Sequence, residues 1–280
     1  MKQIASPRRA LWLMLGCCIA ILAQAEESVM PQRIVSIGQC TDQLLLMMAQ
    51  REQIASLTYV AADPDISYMV DAARGLPLNH AGTEEVISFK PDLVIGSTYA
   101  SRDTAELLRT LGYRVELTEP PDTLAGVGQQ ILQVGAWIGA GEKAAALTAE
   151  MKRRLADIQA RYAHRPQRSI LVYSPNGYTI GSNTLEDDIF RAAGFRNLAA
   201  EMGVTGFQTI SLEQLVAAQP DFILIDNYIY NQNSLASAYI HHPVLDAIVP
   251  MERRLYMPTR LRDCAGPMVV DAIEYLASHR

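Results

Sequence analysis

Residues Gly141 to Ala163 read GEKAAALTAEMKRRLADIQARYA, and their pattern decides the architecture. Ala144, Leu147, Met151, Leu155, Ile158 and Tyr162 recur at spacings of three and four, the apolar stripe of an amphipathic helix. Gly141 suits the N-cap, Glu142 suits the positive end of the helix dipole, and Pro166 forbids continuation soon after His164 and Arg165. Glu150 with Arg154, and Asp157 with Arg161, are spaced as i,i+4 ion pairs on the solvent side. At ~1.5 Å per residue the segment makes a rod of roughly 33 Å, about the width of a small domain. Two arrangements fit such a rod: a long helix packed on one domain, or a stiff strut joining two lobes.

The flanking sequence favours two lobes. Before the rod, Arg33 to Ile37 reads as a buried strand, followed through Gly38-Gln39-Cys40-Thr41-Asp42 by a helix from about Gln43 to Gln50. Strands at 54–58, 93–95 and 114–117 alternate with helices at 84–89, 102–111 and 123–138. After Pro166 a second alternation begins, with strands at 169–173, 222–226 and 255–257 and helices at 185–193, 212–218, 243–249 and 267–278. Alternation of this kind predicts mostly parallel sheets of Rossmann-like α/β type.

An internal echo links the halves. EEVISFKPDLVI at 84–95 aligns without gaps on EQLVAAQPDFIL at 213–224, pairing Glu84 with Glu213, Pro91 with Pro220 and Asp92 with Asp221. Each copy is a short helix, a Pro-Asp corner that stops it, and an apolar strand. The expected organisation is residues 26–140 as an N-terminal lobe, 141–165 as the bridging helix and 166–280 as a C-terminal lobe.

The first residues have the pattern of an export signal. Lys2, Arg8 and Arg9 precede an apolar run from Leu11 to Leu22, and Ala23-Gln24-Ala25 forms a small-x-small cleavage site, so residues 1–25 are expected to be a signal peptide. Cys17 and Cys18 after Leu15-Gly16 offer lipoprotein processing as the rival. The signal carries three of the 24 basic residues and none of the 30 acidic ones, so its removal takes the net charge from −6 to −9. An acidic exported chain argues against a nucleic-acid partner. Cys40 and Cys264 alone remain of four cysteines, too few for a disulfide-built scaffold.

With RIVSIG after the signal, EEVISFKPDLVIGS, the mid-chain helix, GSNTLEDDIFRAAGFRNL, ISLEQLVAAQPDFILID and the terminal PTRLRDCAGPMVVDAIEYL, the chain resembles the periplasmic substrate-binding proteins that deliver cobalamin, ferric siderophores or haem to ABC importers. The resemblance runs along essentially the whole chain after the signal and rests on the order and spacing of its segments. It implies two α/β lobes bridged by one helix, a ligand held between them, and an inner-membrane ABC permease as partner of a periplasmic monomer. Family members dock through one acidic residue per lobe, a place taken here by Glu84 and Glu213. On helix physics alone the same two residues are solvated carboxylates favoured by the dipole.

Ligands of open α/β sheets sit beyond the carboxyl ends of the strands. Loops at those positions hold Cys40, Tyr59, His80, Tyr99 and Arg102 in the first lobe. In the second they hold Phe207, Asn227, Tyr228, Tyr230, Arg260, Arg262 and Cys264, with Tyr99 and Arg262 the leading single candidates. Aromatics beside arginines suit a large, flat or anionic metal chelate. Ferric siderophore and cobalamin lead, and haem follows. The chelate is cargo, and no resident cofactor is expected. For Cys40 and Cys264 three states stay open: a disulfide, a pair of inert thiols, or contacts to ligand or metal, the last with His80 as a third donor. His241-His242 before Pro243 suits a structural or exposed role.

The alternative is a periplasmic enzyme or sensor acting on a chelate without transport. The chain contains no G-x-S-x-G elbow, no H-E-x-x-H and no Walker loop. Gly139-Ala140-Gly141-Glu142-Lys143-Ala144 imitates a dinucleotide fingerprint but follows a helix, the wrong context for one.

Overall fold

A computed structural model describes residues 30–225, 240 and 242–280. Residues 1–25, expected above to be a signal peptide, and Asn227, Tyr228, Tyr230 and His241 therefore lie outside the described residues. In chain order the N-terminal half forms β1 (Ile34–Ser36), α1 (Gln39–Met48), β2 (Ile54–Thr58), α2 (Val70–Ala73), β3 (Leu78–Asn79), α3 (Thr83–Ser88), β4 (Leu93–Ser97), α4 (Arg102–Thr110), β5 (Val115–Thr118) and α5 (Leu124–Trp137). The long helix is α6 (Gly141–Tyr162). Beyond it come β6 (Arg168–Tyr173), β7 (Tyr178–Ile180), α7 (Leu185–Ala192), β8 (Phe195–Asn197), α8 (Leu198–Glu201), β9 (Phe207–Thr209), α9 (Leu212–Ala218), β10 (Phe222–Ile225), α10 (Val244–Ile248), β11 (Arg254–Leu255) and α11 (Val269–His279).

Two parallel sheets result, ordered β3-β2-β1-β4-β5 and β11-β10-β6-β8, with β7 and β9 as a separate antiparallel ribbon. Each sheet is buried on both faces, as parallel sheets must be. On β1 and β4, Ile34, Leu93 and Ile95 face one core while Val35, Ile37 and Val94 face another. On β6 and β10 the same alternation separates Ile170, Val172 and Leu224 from Leu171, Ile223 and Ile225. The first face of both sheets belongs to one continuous apolar core with Ala144, Met151 and Ile158 of α6. The long helix thus bridges two α/β lobes and packs on α5 from one side and α11 from the other. Leu147, Leu155 and Tyr162 fill the flanks of its stripe.

The charges on α6 pair differently from the i,i+4 expectation. Arg153 bridges Glu150 and Asp157, each at 2.6 Å. Arg154 instead reaches Asp271 at 2.5 Å and Arg161 reaches Glu274 at 2.5 Å, both on α11. Carboxylates presented by a packed neighbour outcompete a pair one turn away, because partial burial strengthens the cross-helix contact. The start of the helix also differs: Ala140 is the N-cap and Gly141 the first helical residue.

The internal echo extends to backbone geometry. Lys90 and Gln219, the residues before Pro91 and Pro220, both adopt left-handed conformations with φ 49° and 48°, unusual for residues carrying a Cβ. Asp92 then accepts the backbone N–H groups of Gln32 at 2.7 Å and Arg33 at 3.0 Å, at the entry to β1. Asp221 accepts Ser169 N–H at 2.8 Å beside the entry to β6. Ile34 pairs with Leu93 as Ile170 pairs with Phe222, so the two corners clamp equivalent strands. Helix α1 begins at Gln39, four residues before the expected start, which moves Cys40 from a loop into the first helical turn.

Candidate ligand-binding cleft

The strand order in the first sheet reverses at β1, which has β2 on one side and β4 on the other. Crevices at such points are where open α/β sheets receive ligands. Gly96 permits the tight approach here: a Cβ on it would stand 2.8 Å from Ile37 Cγ1 and 3.0 Å from Ser101. Ser101 Oγ–H donates to Ile37 O at 2.6 Å, fastening the loop after β4 to the end of β1. Tyr99 projects from that loop with 89% of its surface exposed. With Arg102, Thr98, Asp103, Glu119 and Pro120 it lines an open pocket of about 520 Å³.

Along the same rim, Tyr59 stacks on His80 with centroids 5.0 Å apart. Asp42 holds the root of Tyr59: wholly buried, it accepts the N–H of Thr58 at 3.1 Å and also the Thr58 hydroxyl. Burial pushes the Asp42 carboxyl up to about 7, against hydrogen bonds from Ser36 and Thr58 that pull it down. His80 is tied to Glu85, whose Oε2 accepts the His80 backbone N–H at 2.7 Å and whose Oε1 lies 3.5 Å from Nδ1.

In the second lobe the β7–β9 ribbon carries the aromatic surface. Tyr178 and Phe207 stack with centroids 6.1 Å apart and an interplanar angle of 11°. Gly177 sets Tyr178 in place through φ 73° and close approach, since a Cβ there would meet Ile210 O at 2.3 Å. Burial pushes the Tyr178 phenol up, and Tyr99 and Glu186 add to the shift. Tyr99, just beyond β4 in the other lobe, is near enough for its charge to be felt at Tyr178. Sequence reasoning missed Tyr178, although Ser174-Pro175-Asn176-Gly177 directly before it is a turn signal after a strand.

The other flank is closed. Cys40 and Cys264 form a disulfide, with Cα atoms 5.1 Å apart, which resolves the three open states. The proposed donor set of Cys40, His80 and Cys264 is corrected accordingly: both sulfurs are consumed by each other, and neither is available as a thiolate ligand. Among the described residues no group of three or more His, Cys, Asp or Glu side chains is arranged to hold a metal ion. The Tyr68 hydroxyl, from the first lobe, donates to Asp271 Oδ2 of α11 at 2.5 Å. Burial and Asp271 push its phenol up to about 12, while Arg154 and Arg260 pull the other way. Arg260 is exposed and Arg262 half-buried, both in the connection after β11. Tyr68 carried no periodic signal in the sequence, and nothing local linked it to Asp271, 203 residues away.

Glu84 and Glu213 are both exposed and each is the second residue of its helix, α3 or α9. The Ser211 hydroxyl holds the Glu213 carboxyl below the usual carboxylate range. His242 serves its own helix start, its Nδ1 accepting Val244 N–H at 3.2 Å.

Two α/β lobes on one helix, with aromatics converging between them beyond the strand ends, define a two-lobed solute-binding protein. The chain belongs to the periplasmic binding protein family, whose model matches residues 34–247. It is 27% identical over 217 residues to a cobalamin-binding protein of Halobacterium salinarum, covering 75% of this chain. It spans only 58% of the length of that relative. An uncharacterized ABC transporter substrate-binding lipoprotein of Bacillus subtilis is 25% identical over 263 residues, covering 88% of this chain and 79% of that one. Among solved structures, a periplasmic heme-binding protein from Pseudomonas aeruginosa superimposes with a TM-score of 0.72 at 24% identity, covering 89% of this chain and 92% of the other. The periplasmic vitamin B12 binding protein of Vibrio cholerae gives 0.65 at 18% identity, covering 89% and 96%. At these identities the structural likeness establishes the fold.

Proposed function

We propose that the protein captures a metal chelate between its lobes and delivers it to the permease of an ABC importer. The observation that carries this is exposed aromatic surface on both lobes, Tyr99 beyond β4 in the first and the stacked Tyr178 and Phe207 of the ribbon in the second. Flat aromatic area on both sides of a cleft, with Arg102, Arg260 and Arg262 at its rim, matches a large chelate that is planar or anionic in part. Tyr59, His80 and Tyr228 complete the ligand set, and Cys40 and Cys264 take part as a disulfide. The curated names of a cobalamin-binding relative and an ABC substrate-binding relative support the class. Cobalamin and ferric siderophores lead as cargo, ahead of haem.

Residues 1–25 act as the export signal, with lipoprotein processing at Cys17 or Cys18 as the other route to the periplasm. The working unit is a monomer with lobes at 26–140 and 166–280 joined by 141–165, and Glu84 and Glu213 meet basic residues of the permease. The test is the absorption spectrum and mass of whatever copurifies, followed by titration with cyanocobalamin, haemin, ferrichrome and ferric enterobactin. One-to-one binding of at least one chelate at micromolar or lower concentration is expected. Binding of none of them overturns the proposal.

A further inference from the structure

Tyr59 and His80 directly follow the carboxyl ends of β2 and β3, which pair in register with Thr58 opposite Asn79. Their rings therefore stand side by side at the edge of the sheet where ligands of this architecture sit, stacked with centroids 5.0 Å apart. Both residues are exposed, so core packing holds neither ring. His80 takes its place from residues 79–82, the turn that leads from β3 into α3.

Three side chains close that turn. Buried Asn79 accepts Ala81 N–H at 2.8 Å and donates to Ser36 O at 3.1 Å and Ser56 Oγ at 2.8 Å. The Thr104 hydroxyl donates to Ala81 O at 3.1 Å, fastening the turn to the first turn of α4 beside Arg102 of the open pocket. Glu85 supplies the third closure, Oε2 accepting His80 N–H at 2.7 Å while Oε1 lies 3.5 Å from His80 Nδ1. Asn79 and Thr104 thus fix Ala81, and Glu85 fixes His80 itself. Glu85 is half-buried and charged, so it is the closure for which a cation arriving from outside can compete. It also follows Glu84, the acidic residue that meets the permease in the functional reading above. At the equivalent place in the second lobe stands Gln214, which is neutral and closes its own helix start by accepting Ser211 N–H at 2.8 Å.

We propose that Glu85 is a positioning residue through which the start of α3 governs the ligand site: held on His80 it keeps the Tyr59–His80 stack in place for the chelate, and drawn to a basic group of the docked permease it lets the stack go. This rests on the chelate-binding and docking roles above. A guanidinium carries five N–H donors in a planar fork and can bridge two carboxylates, so one that meets Glu84 from outside the helix is able to engage Glu85 as well. His80 N–H then loses a charge-assisted hydrogen bond, and an exposed ring without that anchor leaves its neighbour. The chelate loses one aromatic edge of its cleft at the moment of docking. Side chains one residue apart on a helix diverge, so a charge placed at position 84 itself leaves Glu85 on His80, whereas one at position 88, a turn further on, faces it.

The experiment supplies the cation within the chain. Ser88 is exposed one turn beyond Glu85, so Ser88→Arg offers Glu85 a guanidinium. Ser88→Gln controls for the lost hydroxyl, which donates to Glu85 O at 2.6 Å. The chelate is whichever of haemin, cyanocobalamin, ferrichrome and ferric enterobactin the native protein binds. The His80 amide should exchange about tenfold faster in Ser88→Arg than in Ser88→Gln. Chelate affinity should be about threefold to tenfold weaker, the value of one aromatic pair. Adding Glu85→Gln to Ser88→Arg should restore both, because a carboxamide still accepts His80 N–H and is not drawn by the cation. Glu85→Ala should reproduce the fast exchange and weak binding with no cation present. In cells, Glu85→Gln should slow uptake at saturating chelate about threefold or more, since docking no longer frees the stack. Equal exchange and affinity in Ser88→Arg and Ser88→Gln, no rescue by Glu85→Gln, or native uptake by Glu85→Gln at saturating chelate would each overturn the proposal. If the native protein binds none of the four chelates, the function fails and this coupling with it. If Glu84→Lys/Glu213→Lys takes up chelate at the native rate, the link to the permease fails, and exchange and affinity in Ser88→Arg still decide whether Glu85 positions His80.

Discussion

Arg154 of the long helix lies 2.5 Å from Asp271 of the last helix, and Asp271 in turn accepts the hydroxyl of Tyr68 from the first lobe. One carboxylate therefore fastens the bridging helix, the C-terminal helix and the opposite lobe together. The Arg154 and Asp271 side chains are 34% and 26% exposed, so the contact is stronger than a surface pair but partly screened. Asp271→Asn is expected to lower stability by about 1–2 kcal/mol, between the values for exposed and buried pairs. Urea unfolding checks this. An effect within experimental error would show that the shared apolar core and the Cys40–Cys264 disulfide join the lobes without help from this contact.

The disulfide should have its own stability signature. Cys40 and Cys264 are separated by 224 residues, and cross-linking a long loop restricts the unfolded chain most, with a usual effect of about 2–5 kcal/mol when a native bond is lost. Cys40→Ala/Cys264→Ala should unfold at lower urea concentration, and its m-value should rise because the unfolded chain is more expanded. A midpoint unchanged from native would show that the bond does not form in the purified protein.

Asp42 gives the pH prediction. Burial raises its folded value from 3.8 to about 7, so folding favours the protonated form. Its contribution to stability is full below pH 4 and is lost as pH rises through 7, a difference of at most about 4 kcal/mol at 1.36 kcal/mol per pKa unit. Asp42→Asn keeps an acceptor for the Thr58 N–H and cannot ionise. It should match the native protein at pH 4 and exceed it at pH 8. Parallel stability curves for the two proteins across that range would rule the assignment out.

The aromatic faces carry a mutational prediction. Tyr178→Phe keeps the stack with Phe207, whereas Tyr178→Ala removes one face of the cleft and should weaken chelate binding about tenfold, as should Tyr99→Ala. Gly177→Ala should act indirectly. Its Cβ would stand 2.3 Å from Ile210 O at φ 73°, so the ribbon must shift and Tyr178 with it. Calorimetric titration separates these cases, and full affinity in Tyr178→Ala would remove the ribbon from the site.

What the sequence made legible follows from which forces are local. The α6 stripe and the Pro-Asp corners were readable because period and proline act on neighbouring residues. Helix α9 has the expected bounds for the same reason, Ser211 and Gln214 forming a capping box. The partners of Arg154 and Arg161 were misread because they lie on α11, more than one hundred residues away along the chain. The β7–β9 ribbon escaped because its strands are three residues each and separated by a helix, a strand and another helix. The disulfide stayed open because pairing requires proximity in space, which spacing along the chain does not reveal. Glycine at 177 and 96 marks the close approaches that shape the cleft, but such a residue does not name what approaches it.

Docking supplies the last prediction. Glu85, the neighbour of Glu84, is occupied by His80, and in the second lobe Gln214 stands in its place, capping α9. That leaves Glu84 and Glu213 as the acidic residues the two copies share at the start of their helices, both exposed. Exposed charges contribute orientation and association rate more than affinity, and two separated ones fix a rigid body against its partner where one would leave it free to turn. Glu84→Lys/Glu213→Lys should therefore reduce uptake of the bound chelate by cells at least about tenfold, while each single reversal has a smaller effect. Chelate affinity and urea midpoint should stay at native values, because both side chains are exposed charges at helix starts with no ion pair to lose among the described residues. Uptake at the native rate by the double variant would show that the permease recognises some other surface of the lobes.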